Sequence, residues 1–229
     1  MASELATDDR ALAALNPDDL RTRSRAGFVY ESLRDAIWEG RLGRGERIRE
    51  EEIARTLGVS RTPVREALQR LQQRGLLVNR LGRGLTVAEL SKREVIELYA
   101  MREILEGSAA RFAAQHATVP EIEILHGLQR ELSAAPDDAL RLVTLNRRFH
   151  QAIHDAAHNQ YLTQALDALH DSMALLHSTT FRAPKRRRES DAEHARIVTA
   201  IERHDADAAE AAAREHIRQA QRTRLMAGS

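Results

Sequence analysis

Four side chains in the second half of the sequence have the types and spacing of a divalent-metal site. Asn146 and His150 are four residues apart, so on a helix their side chains lie on one face. His194 and His216 lie on two further predicted helices, and facing helices of an antiparallel bundle can bring them to one interior point. Three imidazoles with an amide or water oxygen suit Zn²⁺, Ni²⁺ or a similar ion. Open positions on such an ion could bind a small anion directly.

Spacing alone also allows ordinary core or solvated histidines, because the chain has ten of them and His154 and His158 continue the same spacing. Arg102 borders an apolar helix stripe, where a guanidinium could clamp a carboxylate. An ion pair with Glu106, one turn further on, is an equally good interpretation of Arg102. The basic run Lys185–Arg188 is interpreted as a solvent-exposed face, and no site is assigned to it.

A second group of residues indicates a nucleic-acid-binding helix-turn-helix. A helix over Glu50–Leu57 is followed by Gly58, which can adopt positive φ, and then by a short helix with arginines at its start. Ser60 or Thr62 can cap this second helix, and Pro63 is tolerated in its first turn. Side chains at the start of a recognition helix meet base edges and phosphates. The candidate DNA contacts on this helix are Ser60, Arg61, Thr62 and Arg65.

The residues that follow predict a β-hairpin with a basic tip. Leu76–Arg80 and Leu85–Val87 have the composition of two short strands, and glycines lie in the turn between them. Such a wing can reach a neighbouring groove or phosphate. Gly82 and Arg83 are its candidate DNA contacts. Together with the preceding helices, the hairpin completes a winged helix-turn-helix.

The elements that position these residues divide the chain into three regions. Residues 1–24 have no sustained periodicity and are predicted to form a mobile arm. Residues 25–89 form the predicted winged helix-turn-helix domain. Residues 90–229 show only helical patterns, and Ser91 with Glu94 has the form of a capping box. The predicted fold is mostly α, with an all-α antiparallel bundle of six helices over about 91–115, 120–132, 136–157, 160–179, 189–203 and 206–225. Ala183-Pro184 is interpreted as the break after the fourth of these helices.

Composition agrees with this division. The net charge is +1, yet residues 21–88 carry 15 Lys and Arg against 8 Asp and Glu, and all ten histidines lie from His116 onward. A basic block beside a nearly neutral one fits a nucleic-acid-binding domain joined to another domain. The absence of cysteine excludes disulfides and thiolate metal sites. No long apolar segment or signal peptide is present, so no membrane association and a cytoplasmic location are expected.

Taken together, the chain resembles the GntR family of bacterial transcription regulators, in the FadR-like group that carries an FCD ligand domain. The resemblance covers about residues 25–225. The matching segments are Leu33–Leu42, Gly45–Ile48, Val59–Leu68, Arg74–Leu77, Arg83-Gly84, Arg102–Glu106, Asn146–His150, Glu193–Ile197 and Glu215–Ile217.

The resemblance implies a role for each candidate site. Asn146, His150, His194 and His216 would hold a divalent metal ion, and Arg102 would lie near a bound carboxylate. Asn146 stands where aspartate is common in the family, which removes one negative charge from the ligand set. Arg61 and Arg65 would contact guanine edges or phosphates, and the wing tip would border the minor groove.

The leading hypothesis is therefore a ligand-responsive DNA-binding regulator that acts as a homodimer on a palindromic operator, with a small carboxylate as effector. One alternative is a pure metal-sensing regulator. Another is a metal-dependent helical enzyme, which would need a general base beside the metal. Glu193 and Glu215 each precede a candidate ligand by one residue, which places them about 100° away from it around a helix. No enzyme activity is therefore predicted.

Overall fold

A computed structural model describes residues 24–136, 138–176 and 184–227 of the protein. The predicted N-terminal arm lies almost entirely outside the described residues. The chain folds into two compact units. In the described residues, the first unit comprises 24–90 and 170–176, and the second comprises 91–169 and 184–227.

The first unit begins with helix α1 (Arg25–Trp38), followed by α2 (Glu50–Leu57) and α3 (Arg61–Gln73). The Ser24 side chain accepts a hydrogen bond from the Gly27 amide and so caps α1. Gly58 closes α2 with φ of 64°, a left-handed conformation that glycine adopts without strain. Val64, Leu68 and other apolar residues of α3 are buried in the core of this unit. The turn between α2 and α3 is the one predicted from the sequence.

Two antiparallel strands, β1 (Leu77–Arg80) and β2 (Gly84–Val87), form the predicted hairpin. Their register pairs Leu77 with Val87 and Arg80 with Gly84. The strands therefore end at a three-residue turn that carries Leu81, Gly82 and Arg83. The winged helix-turn-helix predicted from the sequence is confirmed.

The second unit is built from helices α4 to α9, although the end of α7 belongs to the first unit. They are α4 (Lys92–His116), α5 (Val119–Ala134), α6 (Ala139–Ala156), α7 (Gln160–Ala174), α8 (Pro184–Glu202) and α9 (Ala206–Ala227). The capping box of Ser91 and Glu94 is present at the start of α4. Small residues allow close helix packing, since a Cβ added at Gly107 of α4 would lie 2.6 Å from the Arg214 side chain of α9. The helical second domain is confirmed, and none of the described helices has the length and apolar character needed to cross a membrane.

Three predicted helix bounds in this region differ from the structure by three residues or more. Helix α6 starts at Ala139 rather than at Pro136, and α7 ends at Ala174 rather than at Thr179. Helix α8 starts at Pro184 instead of Glu189. Proline fits the first turn of a helix because its missing N–H has no intrahelical acceptor there. The proline that was interpreted as a break therefore begins the next helix.

The last residues of α7 pack within the first unit. Ala174 and Leu175 are buried in its core, and the Arg44 guanidinium donates a hydrogen bond to the Leu176 carbonyl at 2.9 Å. Asp171 lies 3.4 Å from Arg74, the residue that caps the C-terminus of α3. The sequence placed residues 90–229 in one domain, whereas this packing groups 170–176 with the winged helix-turn-helix.

Candidate functional site

The start of helix α3 presents polar side chains to solvent and apolar ones to the core. Ser60 occupies the N-cap position with an extended backbone, although its side chain makes no capping hydrogen bond. Arg61, Thr62 and Arg65 are exposed, whereas Val64 and its apolar neighbours are buried. The residues predicted to contact DNA thus lie on the accessible face of the helix.

Both arginines of this face are paired with glutamates of the first turn of α2. Arg61 lies 2.9 Å from Glu51, and Arg65 Nε donates to Glu50 at 2.8 Å. These side chains remain largely accessible to water, with the Glu51 side chain 74% exposed. These pairs are not among the contacts expected from the sequence.

The tip of the wing is fully accessible. Gly82 and Gly84 have φ of 77° and 74°, values that favour glycine and form the tight turn. Arg83 is exposed at this turn, as predicted for a DNA contact. Leu81 is also fully exposed, a large apolar side chain at the tip that the sequence analysis did not single out.

In the second unit, three histidines from three helices converge. His150 of α6, His194 of α8 and His216 of α9 are buried, and one ring nitrogen of each lies within 4.8 Å of the others. The ring centroids of His194 and His216 are 4.6 Å apart. We call these three residues the histidine centre. The structure thus brings together the imidazoles that the sequence analysis proposed as metal ligands.

Within the described part of the chain, several polar atoms at this centre are buried without a hydrogen-bond partner. They are His150 Nε2 and both ring nitrogens of His194. Oδ1 of Asn146, one turn before His150 on α6, is likewise buried without a partner. Buried polar atoms are normally satisfied, so orphaned ones call for a ligand or an ordered water. Imidazole nitrogens and an amide oxygen are the donors that a divalent ion of the zinc type accepts. The residues present therefore fit such an ion.

Two glutamates contact two of these imidazoles at their Nδ1 atoms. Glu193 accepts a hydrogen bond from His216 Nδ1 at 2.7 Å, and a Glu106 oxygen lies 2.8 Å from His150 Nδ1. The Glu193 carboxylate can only accept, so it places the proton of His216 on Nδ1 and leaves the Nε2 lone pair free. Carboxylate partners of this kind orient histidines that bind metals.

Each glutamate is in turn paired with a buried arginine. Arg186 donates two hydrogen bonds to Glu193, at 2.6 and 2.7 Å, and Arg102 Nε donates to Glu106 at 2.8 Å. All four side chains are between 5% and 7% exposed. The centre therefore has two parallel Arg–Glu–His chains, and the pairing of Arg102 with Glu106 that the sequence left open is present.

Burial and these charges control protonation. Burial, followed by the charges of neighbouring histidines, holds the pKa of His194 and of His216 well below its usual range. Burial alone would raise the pKa of Glu106, but the charges of Arg102 and His150 hold it well below its usual range. The two imidazoles are thus neutral near pH 7, which is the form that binds metal.

A second trio, Glu106, His150 and His154, also has ligand atoms within 4.8 Å of one another. It is the poorer cation site, because Arg102 already neutralises Glu106 and its positive charge would repel an ion placed there. The histidine centre is therefore the stronger candidate.

Arg186 and the two glutamates were not found as site residues in the sequence. Arg186 belongs to the Lys185–Arg188 run, and the interpretation of that run as a solvated face is wrong for Arg186, which is 4% exposed. The spacing of Arg186 and Glu193 could have indicated this pair, since seven residues are about two helical turns and place both side chains on one face. That inference needs a helix that already includes Arg186, as α8 does.

The fold defines a DNA-binding transcription regulator with a winged helix-turn-helix and a helical second domain. Residues 25–87 match the model of the bacterial regulatory proteins of the gntR family, and residues 97–219 match that of the FCD domain. The chain belongs to the GntR family and carries an FCD domain, as its motifs predicted.

Similar proteins have the same role. The chain is 34% identical over 195 residues to the probable D-xylose utilization operon transcriptional repressor of Paenarthrobacter nicotinovorans. The aligned region covers 84% of this chain and 85% of that protein. The chain is 29% identical over 215 residues to the Glc operon transcriptional activator of Escherichia coli K12, covering 83% and 85%. These relatives and both families are transcription regulators, so the enzyme alternative is excluded.

Solved structures agree with this fold. Escherichia coli McbR/YncC superimposes with a TM-score of 0.82 at 25% identity, over 91% of this chain and all of that chain. A GntR transcriptional regulator from Rhodococcus sp. RHA1 gives a TM-score of 0.74 at 25% identity, over 90% and 99%.

Proposed function

We propose that this regulator binds a palindromic operator as a homodimer and that a small carboxylate, bound at a divalent metal ion in the histidine centre, changes its DNA affinity. The observation that carries the proposal is the convergence of three buried imidazoles in the second domain, two of which have ring nitrogens without a hydrogen-bond partner. A purely structural core would gain stability by replacing such groups with apolar side chains.

Asn146, His150, His194 and His216 would hold the ion, which would offer a Lewis-acidic position to a carboxylate oxygen. The protein's own contribution is orientation, because Glu193 fixes the ring tautomer of His216 and Glu106 lies 2.8 Å from the His150 ring. Asn146 is neutral, so the bound ion would keep more positive charge than with aspartate in that place. That charge favours an anionic effector.

Arg102 would contribute to effector binding while it remains paired with Glu106 through Nε. This pair is buried beside the histidine centre, so Glu106 would hold the guanidinium in place while its charge attracts a carboxylate. Arg102→Lys keeps the charge and loses the planar fork of donors. We expect this variant to weaken carboxylate binding while metal content is unchanged, as measured by calorimetry on metal-loaded protein.

On DNA, Arg61 and Arg65 would contact guanine edges or phosphates, and Ser60 and Thr62 the backbone. Gly82 and Arg83 of the wing would border the minor groove. A two-fold dimer would place two recognition helices about one helical turn apart on a symmetric operator. The molar mass of the free protein and of its complex with an operator duplex measures whether two chains associate and whether two chains bind one duplex.

The first test is metal content after purification without chelator. We expect about one ion per chain, lost in His194→Ala and kept in His126→Ala, which removes a half-exposed histidine outside the centre. Equal metal content in the two variants would contradict the assignment of the centre.

The effector role is tested on the same preparations. A panel of small carboxylates should raise the melting temperature of metal-loaded protein and leave His194→Ala unchanged. Operator DNA must then alter carboxylate affinity by the same factor by which the carboxylate alters DNA affinity. A change in DNA affinity on metal binding alone, without any carboxylate effect, would favour the metal-sensor alternative.

A further inference from the structure

The first turn of α2 places negative charge beside the side chains that meet DNA. Glu50, Glu51 and Glu52 form this turn, where the positive end of the helix dipole favours them. A surface that binds an anionic polymer gains nothing from carboxylates in general. Their position next to the recognition helix therefore calls for a function other than affinity.

The geometry gives two of these glutamates a specific partner. Glu51 lies 2.9 Å from Arg61, and Glu50 accepts from Arg65 at 2.8 Å. The Glu51 side chain is 74% exposed and the Arg61 side chain is 58% exposed, so this pair contributes little to the stability of the fold. Arg61 and Arg65, the two candidate DNA-contacting arginines of α3, are thus each paired with a carboxylate in the free protein.

Such pairs affect different DNA sequences unequally. An exposed ion pair is worth only about 0–1 kcal/mol, so a duplex can displace it. A contact with phosphate alone gains one ion pair and loses another, whereas a guanine edge offers an arginine two hydrogen bonds in fixed geometry. A released carboxylate repels phosphate but can accept a hydrogen bond from a cytosine amino group. Competition of this kind penalises the wrong sequence more than the right one.

We propose that Glu50 and Glu51 are specificity-determining residues, which hold Arg65 and Arg61 in intramolecular ion pairs that DNA must displace, and so weaken binding to non-specific duplex more than binding to the operator. The proposal rests on the assignment of α3 as the recognition helix and does not depend on the metal site.

The test compares E50Q/E51Q with E52Q on a random-sequence duplex over a range of NaCl concentrations. Glu52 lies in the same helical turn, so E52Q controls for the loss of a charge near DNA. We expect the double variant to bind the random duplex about threefold to tenfold more tightly, with a salt dependence steeper by about one to two units, because each phosphate contact adds roughly 0.9 to the slope. E52Q should change both quantities much less.

A mutant cycle shows whether the pairs themselves are responsible. The effect of E51Q should disappear in an Arg61→Ala background, and that of E50Q in an Arg65→Ala background. Duplexes enriched from a random library by the wild-type protein provide the specific probe. The ratio of affinities for enriched over random duplex should fall in E50Q/E51Q and remain close to wild type in E52Q.

Two results would overturn the inference. One is a double variant that behaves like E52Q, and the other is a glutamate effect that persists without the partner arginine. If Arg61→Ala and Arg65→Ala leave binding to every duplex unchanged, the recognition-helix assignment fails, and the inference fails with it. A normal effect of the arginines with none from the glutamates overturns the inference alone.

Discussion

The same chemical pair, arginine with glutamate, occurs in both units of the molecule in opposite environments. In the winged unit, Arg61 with Glu51 and Arg65 with Glu50 lie in water. In the second unit, Arg102 with Glu106 and Arg186 with Glu193 are almost completely buried. Solvent weakens the first kind of pair and lets other ions exchange with it. Burial makes the second kind of pair costly to break, because each charge would then be buried without water or an ionic partner.

This difference suits the two tasks proposed for these regions. A recognition surface must release its arginines to DNA, whereas a metal centre needs imidazoles that keep one tautomer and one orientation. The outer glutamates can therefore act as competitors, and the inner glutamates as supports. Predictions that compare the two regions test whether solvent exposure is the reason for the difference.

The largest effect is expected from Arg186→Met, which leaves the Glu193 carboxylate buried without its cation. Removing one partner of a buried pair costs about 3–5 kcal/mol. Urea unfolding followed by circular dichroism should show a loss of this size in the free energy of unfolding. Arg188→Met, on the exposed side of the same helix, should change it by less than about 0.5 kcal/mol.

Fluorescence provides an internal reference for this experiment, because Trp38 is the chain's one tryptophan and lies on α1 of the winged unit. Its transition reports unfolding of that unit. Equal losses for Arg186→Met and Arg188→Met would mean that the Arg186–Glu193 pair is no more important than a surface charge.

The next effect concerns pH. Burial lowers the pKa of His154 to about 4, and it holds the pKa values of His194 and His216 well below their usual range. In the unfolded chain these groups titrate at about 6.5. Folding therefore favours the neutral form of these histidines. Their contribution to the free energy of unfolding is complete above about pH 6.5 and is lost as the pH falls towards the pKa of each group in the folded protein. Between pH 7 and 5, His154 should cost about 2 kcal/mol of stability, and His194 and His216 should lower stability in the same direction.

The measurement is the free energy of unfolding as a function of pH in the presence of a chelator. Its slope below pH 6.5 reports the number of protons taken up on unfolding. His154→Asn should reduce that slope by about one proton. A slope that is unchanged in this variant would mean that His154 is already protonated in the folded protein.

The parts that could be predicted from sequence depend on local signals. Gly58, Pro63 and the Ser91–Glu94 capping box each act within one turn of the chain, and the bounds of α2 and the start of α4 follow from them. The convergence of His150, His194 and His216 came from their motifs rather than from their spacing, which ordinary core histidines share.

The supports of the histidine centre depended on information that is not local. Glu193 was judged only by its angle to His194, its neighbour in sequence, whereas its partner His216 lies on another helix. Arg186 was placed outside α8 because Pro184 was interpreted as a break. Once α8 starts at Pro184, Arg186 and Glu193 share a face, and the burial of both follows from the packing of α8 in the unit.

A smaller effect is expected for DNA binding. Arg65→Ala should weaken binding to duplexes enriched from a random library by roughly tenfold to a hundredfold, because an arginine contact to a base is worth about 1–3 kcal/mol. Gln73→Ala, at the end of the same helix, is the control and should bind as the wild type. Unchanged affinity in Arg65→Ala would contradict the assignment of α3 as the recognition helix.

The smallest effect is expected from Glu51→Gln on stability, and it is the one that isolates solvent exposure as the variable. The substitution removes an ion pair of the same chemistry as Glu106→Gln, yet water can solvate Arg61 once its partner is gone, whereas Arg102 stays buried. We therefore expect Glu51→Gln to lower the free energy of unfolding by less than about 1 kcal/mol, since an exposed pair and a favourable helix-end charge are each small. Glu106→Gln should cost several times more, because its arginine loses a buried counter-charge. Urea unfolding of both variants at pH 7 measures the two values side by side. If they are equal, exposure does not distinguish the two regions, and the roles of competitor and support assigned to their glutamates need another physical basis.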